Sequence, residues 1–394
     1  MVTIIFKNII FHLSHVLNSG GFDFRFLQVF FGYDFLLILF FGSLALIYSG
    51  LYKKKQVFFY LIILFVYFIY GLSKIDLVSV AAYSRFYLTP LFAFSLGIFF
   101  SIYGHSKYVG YVVLAFLCYV LIECLPGFYE LIQVNMYIDL KYYGRDINSY
   151  DYLHKMGMTI NEIRFQRVLG PQMHPISAAY SILFLYAYLF CHAKKWFYLS
   201  TPIIFVLLFL TSKGALAAGL LMFSFSFIWN FCSSKRGLLT LVITMYSVTL
   251  VLISSIPGLT SGYEHMLGLI GGLSNLISNP IGSGIGFGGT MSSLKGVENG
   301  GESGFGVVVS HLGVFGVIIY LYVFKKLFLL MYSSKSSDIY IFSGYCIILL
   351  INGLLQEEAL LPSASFLGWF LLAYSIGKYQ IKTICWRKNC QNKI

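Results

Sequence analysis

The sequence predicts an all-α fold, a polytopic transmembrane helical bundle of about eleven (10–12) spans with two long extracytoplasmic loops. Three observations predict it. Of the 394 residues 58% are hydrophobic; only 11% are charged. Apolar runs long enough to cross a bilayer, about 17–25 residues each, recur from Asp34 to Gly377, and the short segments between them carry nearly all the charge. A water-soluble domain of this length has no use for so apolar a composition.

The elements follow in order. Residues 1–17 are apolar but carry Lys7, His12 and His15, the pattern of an interfacial helix or of one more weak span. With no polar n-region and small-residue cleavage site, no removable signal peptide is expected. Spans are expected at roughly 34–51, 57–72, 87–103, 108–125, 177–193, 196–212, 214–232, 238–256, 305–324, 339–355 and 360–377. Residues 1–394 then form a single integral membrane domain, with 126–176 as the large extracytoplasmic loop, 257–304 as the second, and 378–394 as a basic cytoplasmic tail.

Charge sets the orientation. With Lys53, Lys54 and Lys55 in the cytoplasm and the spans alternating thereafter, Lys107, Lys194, Lys195, Lys235, Arg236, Lys325, Lys326 and the tail fall on the same side. That is the positive-inside distribution of a bacterial cytoplasmic-membrane protein. Of the 15 acidic residues only Asp338 falls there. The net charge of +12 is then explained by topology and by anionic lipid headgroups, and no nucleic-acid partner is expected. The cysteines lie mostly inside spans or in the tail, so neither a disulfide framework nor a zinc site is expected.

Function is expected at the outer face, because long ordered loops are uncommon unless they carry a site. The first loop is rich in tyrosine and mixed charge from Tyr142 to Lys155, compatible with short helices lying on the membrane surface. Its tyrosines suit an aromatic belt at the interface. In the second loop Met266, Leu269, Ile270, Leu273 and Ile277 recur at helical spacing, which predicts one amphipathic helix stopped by Asn279-Pro280.

Several side chains there could carry chemistry. Arg164, Arg167 and His174 stand just before the span that opens near Ile176, and if the stretch before Gly170 is helical the two arginines share a face. Guanidiniums converging at headgroup level suit a pyrophosphate; arginines that merely snorkel, or pair with Glu162, are the ordinary alternative. Lys213, in T-S-K-G between two closely spaced spans, is placed at or inside the outer boundary, where a charge faces a polar cavity by default. Glu298 and Glu302 flank a glycine pair, and a partly desolvated carboxylate there can act as a base; the alternative is a solvated loop acid. On a continuous helix His311 points away from Glu302, so it is expected to be a packing histidine.

Two familiar patterns are set aside. Gly284, Gly286 and Gly289 match a dinucleotide fingerprint only formally, since no strand-turn-helix unit surrounds them; a turn close to the substrate or to neighbouring helices suits these glycines better. The first short outer loop offers Asp76 and Arg85 without a D-x-D pair, which argues against metal-assisted transfer. Neither a metal nor a cofactor is expected.

Taken together, these segments resemble the Wzy-type O-antigen and capsule polymerases and the related O-antigen ligases. The ligase pattern is a histidine, then Asn, Ser or Gln, nine residues, a glycine, two residues and a small residue; here Ser303, Gly313 and Gly316 fill the fixed positions and Glu302 stands in the histidine's place. Arg167, Gly170, His174 and Pro175 look like the family's arginine-glycine-proline segment, and T-S-K-G resembles its T-x-S-R-G with Lys213 for arginine. Because ligases are expected to keep the histidine, the glutamate tilts the resemblance toward polymerase.

The resemblance implies a metal-independent glycosyl transfer between polyprenyl-pyrophosphate-linked oligosaccharides at the outer face of the cytoplasmic membrane. Arg164, Arg167, Lys213, His174, Arg85 and Glu298 would bind the pyrophosphate or substrate, Arg167 would stabilise the leaving charge, and Glu302 would be the base. Membrane lipids surround such a protein, and a chain-length regulator and a flippase are possible partners. A ligase that passes finished glycan to a lipid core is the near alternative; a lipid-linked sugar flippase is the alternative from another class, although no paired repeat is evident.

Overall fold

The computed structural model describes residues 34–104, 106–123, 158–160, 163–165, 175–232, 235–256, 262–289 and 301–391. Those residues are overwhelmingly helical: α1 (Asp34–Tyr48), α2 (Lys55–Leu72), α3 (Leu77–Tyr103), α4 (Ser106–Glu123), α5 (Pro175–His192), α6 (Lys194–Thr211), α7 (Lys213–Phe231), α8 (Lys235–Ser254), α9 (Gly262–Ser278), α10 (Gly304–Leu312), α11 (Val314–Ser333), α12 (Ser337–Gly353) and α13 (Pro362–Gln391), with 3-10 turns at Leu51–Lys53 and Glu357–Leu360. One short antiparallel hairpin pairs β1 (Met158–Ile160) with β2 (Ile163–Phe165).

Among the described residues seven helical segments are long and apolar enough to cross a membrane, in α2, α3, α6, α7, α8, α11 and α13. Shorter apolar helices cover Leu39–Tyr48, Ile176–His192 and Ser337–Gly353. These are the dimensions of a multi-pass membrane protein. Seven meet the requirement, against the roughly eleven expected from hydropathy.

Internal contacts divide the chain into two compact units, Met1–Asp34 with Lys107–Gly219, and Phe35–Ser106 with Leu220–Ile394. In the first, α5 and α6 form a helical hairpin about Ala193, whose extended φ of −149° breaks the helix. Tyr186 stacks on Phe197 at 4.5 Å, Phe190 meets the same ring edge-on at 5.1 Å, and Tyr186 Oη lies 3.2 Å from Thr201 Oγ1. Aromatic pairs of this kind add about 0.5–1.5 kcal/mol beyond the area they bury.

In the second unit α3 and α13 pack closely along their length. A Cβ on Gly97 would meet Ala373 Cβ at 2.7 Å, so only glycine lets these backbones approach so nearly. Every residue of α12 from Ile339 to Gly353 is buried. Lys235 Nζ sits 3.7 Å from the Trp229 ring centroid and Arg236 faces Tyr332 at 5.5 Å, so these cations cover aromatic surface at one end of the unit.

Three helices differ from expectation in extent, one of them α13, which runs on to Gln391 past the end expected at 377. The span expected from 87 begins ten positions earlier, at Leu77, because Asp76 caps it: its carboxylate accepts from Ser79 N at 3.0 Å and from Ser79 Oγ at 2.9 Å. The span expected at 305–324 is two helices. Gly313, at φ 56°, separates the buried α10 from α11, and α11 carries Lys325 and Lys326 in its interior. The apolar run is continuous across this break, so hydropathy alone merges the two.

Candidate functional site

The candidate site lies in the second unit, where α9, the segment 301–303, α10 and the Glu357–Leu360 turn come together. A glycine-rich segment, 279–289, buried from Gly282 onward apart from the half-buried Phe287, packs against α10. Gly282, Gly284, Gly286, Gly288 and Gly289 all have positive φ. The segment's main chain is bonded to helix ends and to helix backbone: Ser283 N–H donates to Ser310 O at 2.8 Å, Gly284 N–H to His311 O at 3.0 Å, Ile285 N–H to Tyr67 O at 3.1 Å, and Val314 N–H to the Pro280 carbonyl at 2.9 Å. Non-helical backbone among apolar helices is tolerated only when its polar groups are satisfied in this way.

Close approach explains the glycines. At Gly284 (φ 96°) a Cβ would stand 2.8 Å from Gly71 N, and at Gly286 (φ 94°) 3.1 Å from Val80 N. The neighbouring helices, of the two uses expected for these glycines, are what they approach. The element immediately before Gly284 is the helix α9 and not a strand, in keeping with the rejected dinucleotide match.

His311 locks this segment. Gly286 N–H points at His311 Nε2 (3.2 Å), and His311 Nδ1 lies 2.9 Å from Tyr87 Oη, so both ring nitrogens have hydrogen-bond partners. Tyr83 meets the ring edge-on at 5.0 Å. The fully buried His311 is thus a packing and hydrogen-bonding residue, as its register in the sequence suggests.

Glu302 is half-exposed just before α10. Its carbonyl accepts from Glu357 N–H at 2.8 Å. Ser303 next to it caps α10, accepting from Gly306 N at 2.9 Å, while its own hydroxyl donates to Leu354 O at 2.7 Å. The main chain at 302–303 is therefore stapled to the loop that leaves α12. A Cβ on Gly272 would fall 2.5 Å from Gly306 Cα, and one on Gly301 2.9 Å from Gly268 Cα, so α9 lies in backbone contact with the same segment.

This packing brings His265, on α9, to Glu302: Nδ1 lies 3.1 Å from Oε2, within pairing distance for a protonated imidazole, but the two are not aligned as a hydrogen bond. The histidine side chain is only 9% exposed and the glutamate 47%. Glu358 is within electrostatic reach of His265, Glu302 and Glu357, and Glu357 within reach of Tyr87. One imidazole thus faces two carboxylates, Glu302 and Glu358, of which Glu302 is open to solvent. Chemically, such a group can hold a carboxylate in a fixed orientation and accept a proton from a hydroxyl brought to its exposed side.

The amphipathic helix expected in the second loop is α9, and it ends at Ser278, before Asn279-Pro280. Its packed face is His265, Gly268 and Gly272; of the expected seam Met266 and Leu269 are half-buried, while Ile270, Leu273 and Ile277 are exposed, Ile277 at 85%. Small residues do the packing because they let backbones meet, which leaves the large apolar side chains outward.

The other expected site residues fall as follows. Arg85 is not in a loop: it lies inside α3, half-buried, its Nε donating to Ala82 O at 3.2 Å, because the Asp76 cap starts the helix before it. Arg164 is on β2, paired with Thr159, so the helical face it was expected to share with Arg167 does not form at this residue. Lys213 is the first residue of α7. Arg167, His174 and Glu298 lie outside the described residues, as do residues 1–17 and the tyrosines of 142–152.

His265, Glu357 and Glu358 were not picked out from the sequence. A signal for the glutamates was available: Q-E-E interrupts an apolar run immediately before the last span. His265 carries no such signal, since its partner is remote in sequence. Comparison with protein-family models, with curated proteins and with solved structures yields no match for this chain.

Proposed function

We propose that the protein polymerises polyprenyl-pyrophosphate-linked oligosaccharide repeat units into a surface polysaccharide at the outer face of the bacterial cytoplasmic membrane. The observation that carries the reading is Glu302: a half-exposed carboxylate, at the motif position occupied by a histidine in O-antigen ligases, held by main-chain and His265 contacts in a multi-pass helical protein. The composition, the outward bias of acidic residues and the resemblance to Wzy-type polymerases support the same reading.

In the proposed reaction Glu302 takes the proton of an acceptor sugar hydroxyl, whose oxygen forms a bond to the donor's anomeric carbon. The bond from that carbon to the pyrophosphate breaks, and the pyrophosphate leaves with the electron pair. Arg167, with Arg164 and Lys213, would bind the pyrophosphate and stabilise its developing charge, the role for which permanent cations are suited. His174, Arg85 and Glu298 remain proposed substrate contacts. Both substrates are lipids and arrive through the membrane.

The test is glycan ladder length in cells lacking their own copy and expressing wild type, Arg167→Ala or Glu302→Gln at matched abundance. Long ladders from wild type and single-repeat products from both variants are expected; full ladders from both would overturn the reading.

A lipid-linked sugar flippase is the second reading, favoured by the break between α10 and α11 and the non-helical segment packed against it, features on which transporters build their sites. It predicts loss of every surface repeat, single units included. If the protein were a ligase, its inactive variants would leave long chains on the lipid carrier and none on a lipid core.

A further inference from the structure

Resting on the proposed role of Glu302 as base, we infer that His265 is its positioning residue, a buried imidazole that holds one carboxylate oxygen so that the other is presented to the acceptor hydroxyl. Three features of the site carry this. His265 Nδ1 is a buried nitrogen with no hydrogen-bond partner and lies 3.1 Å from Glu302 Oε2, so aligning the carboxylate on it satisfies that nitrogen and turns Oε1 to the substrate. The two partners differ in burial, 9% against 47%, so the histidine is anchored by packing while the glutamate reaches outward.

The frame under both residues is rigid. α9 is held to the 301–306 segment by the glycine contacts at Gly268–Gly301 and Gly272–Gly306, and the Glu302 main chain is held by Glu357 N–H. A carboxylate on a glycine-flanked turn would otherwise sample several rotamers, and a fixed orientation removes that search from the reaction.

The surroundings fit a positioning role. Glu358, with Glu357 beside it, is within electrostatic reach of His265 and of Glu302. Without the imidazole, Glu302 would face the Glu358 carboxylate and be pushed away from it, whereas a donor at His265 Nδ1 draws it in. Ordinary packing does not require a histidine at this position, since Gly268 and Gly272 already make the close approach.

The experiment compares His265→Ala, His265→Asn and Glu302→Gln in cells lacking their own copy, reading glycan ladder length, membrane abundance and the melting temperature of the detergent-extracted protein. Asparagine places an amide N–H near the position of the imidazole Nδ1 and so keeps the donor. His265→Ala is expected to cut polymer yield about 10- to 100-fold, the range for loss of a supporting hydrogen-bond partner, with abundance unchanged, and His265→Asn to restore most of it.

Full ladders from His265→Ala beside collapsed ladders from Glu302→Gln would overturn the inference and leave Glu302 as base. Equal loss from the alanine and asparagine variants, tracking an equal fall in melting temperature, would make His265 a packing residue and also overturn it. Full ladders from Glu302→Gln would overturn the function on which the inference rests.

Discussion

Glu302 and Glu357 are joined through main chain: the Glu357 N–H donates to the Glu302 carbonyl at 2.8 Å, tying the segment before α10 to the turn before α13. Two acidic side chains that would repel one another are thereby kept at one end of the same unit. Ser303 reinforces the tie by donating to Leu354 O while capping α10. Ser303→Ala removes both bonds and is expected to lower stability by about 1–2 kcal/mol. Thermal unfolding in detergent checks it, and ladders should shorten along with stability.

Gly272→Ala tests the backbone contact between α9 and α10. The added methyl would stand 2.5 Å from Gly306 Cα, with no flexible side chain able to yield. A loss of about 1–3 kcal/mol is expected from overpacking, together with a weaker Glu302–His265 pairing. By contrast, Ile277→Ala, on the exposed face, should leave stability unchanged.

The glycine-rich segment makes a sharper prediction. Gly284→Ala combines a left-handed φ of 96° with a Cβ 2.8 Å from Gly71 N, so strain and collision add. A cost of about 1–3 kcal/mol from the backbone conformation alone is expected, seen as reduced membrane abundance. His311→Ala should cost about 2–5 kcal/mol, through the cavity left between Tyr83 and Tyr87 and the unmet hydrogen bonds of Tyr87 and Gly286.

Orientation is tested by labelling in a cysteine-free background. The positive-inside pattern puts Lys335 in the cytoplasm and Lys74, whose ammonium stands 4.1 Å from the Tyr70 ring centroid, outside. Lys74→Cys should react with an impermeant maleimide while the cytoplasmic membrane is intact, and Lys335→Cys only after that membrane is opened.

Helix positions were legible in the sequence wherever an apolar run is bounded by charge: the span expected at 57–72 is α2, Lys55–Leu72, and that at 339–355 is α12, Ser337–Gly353. Hydropathy fails where polarity and backbone disagree. The polar start of α3 looks like a loop until the Asp76 cap is recognised, and Gly313 breaks a run whose composition does not change. At the site, Glu302 stood out through its glycine neighbours and its motif position. His265 could not, because glycine-to-glycine packing between α9 and α10 joins residues that have no pattern in common.

The most direct test of the central claim is product stoichiometry in vesicles containing the purified protein and its lipid-pyrophosphate-linked repeat unit, with a chelator present. Wild type should release one polyprenyl pyrophosphate for each glycosidic bond formed, and Glu302→Gln should form bonds at least about 100-fold more slowly, the lower range for losing a general base. Equal rates from wild type and Glu302→Gln, or bond formation that stops when the chelator is added, would contradict it.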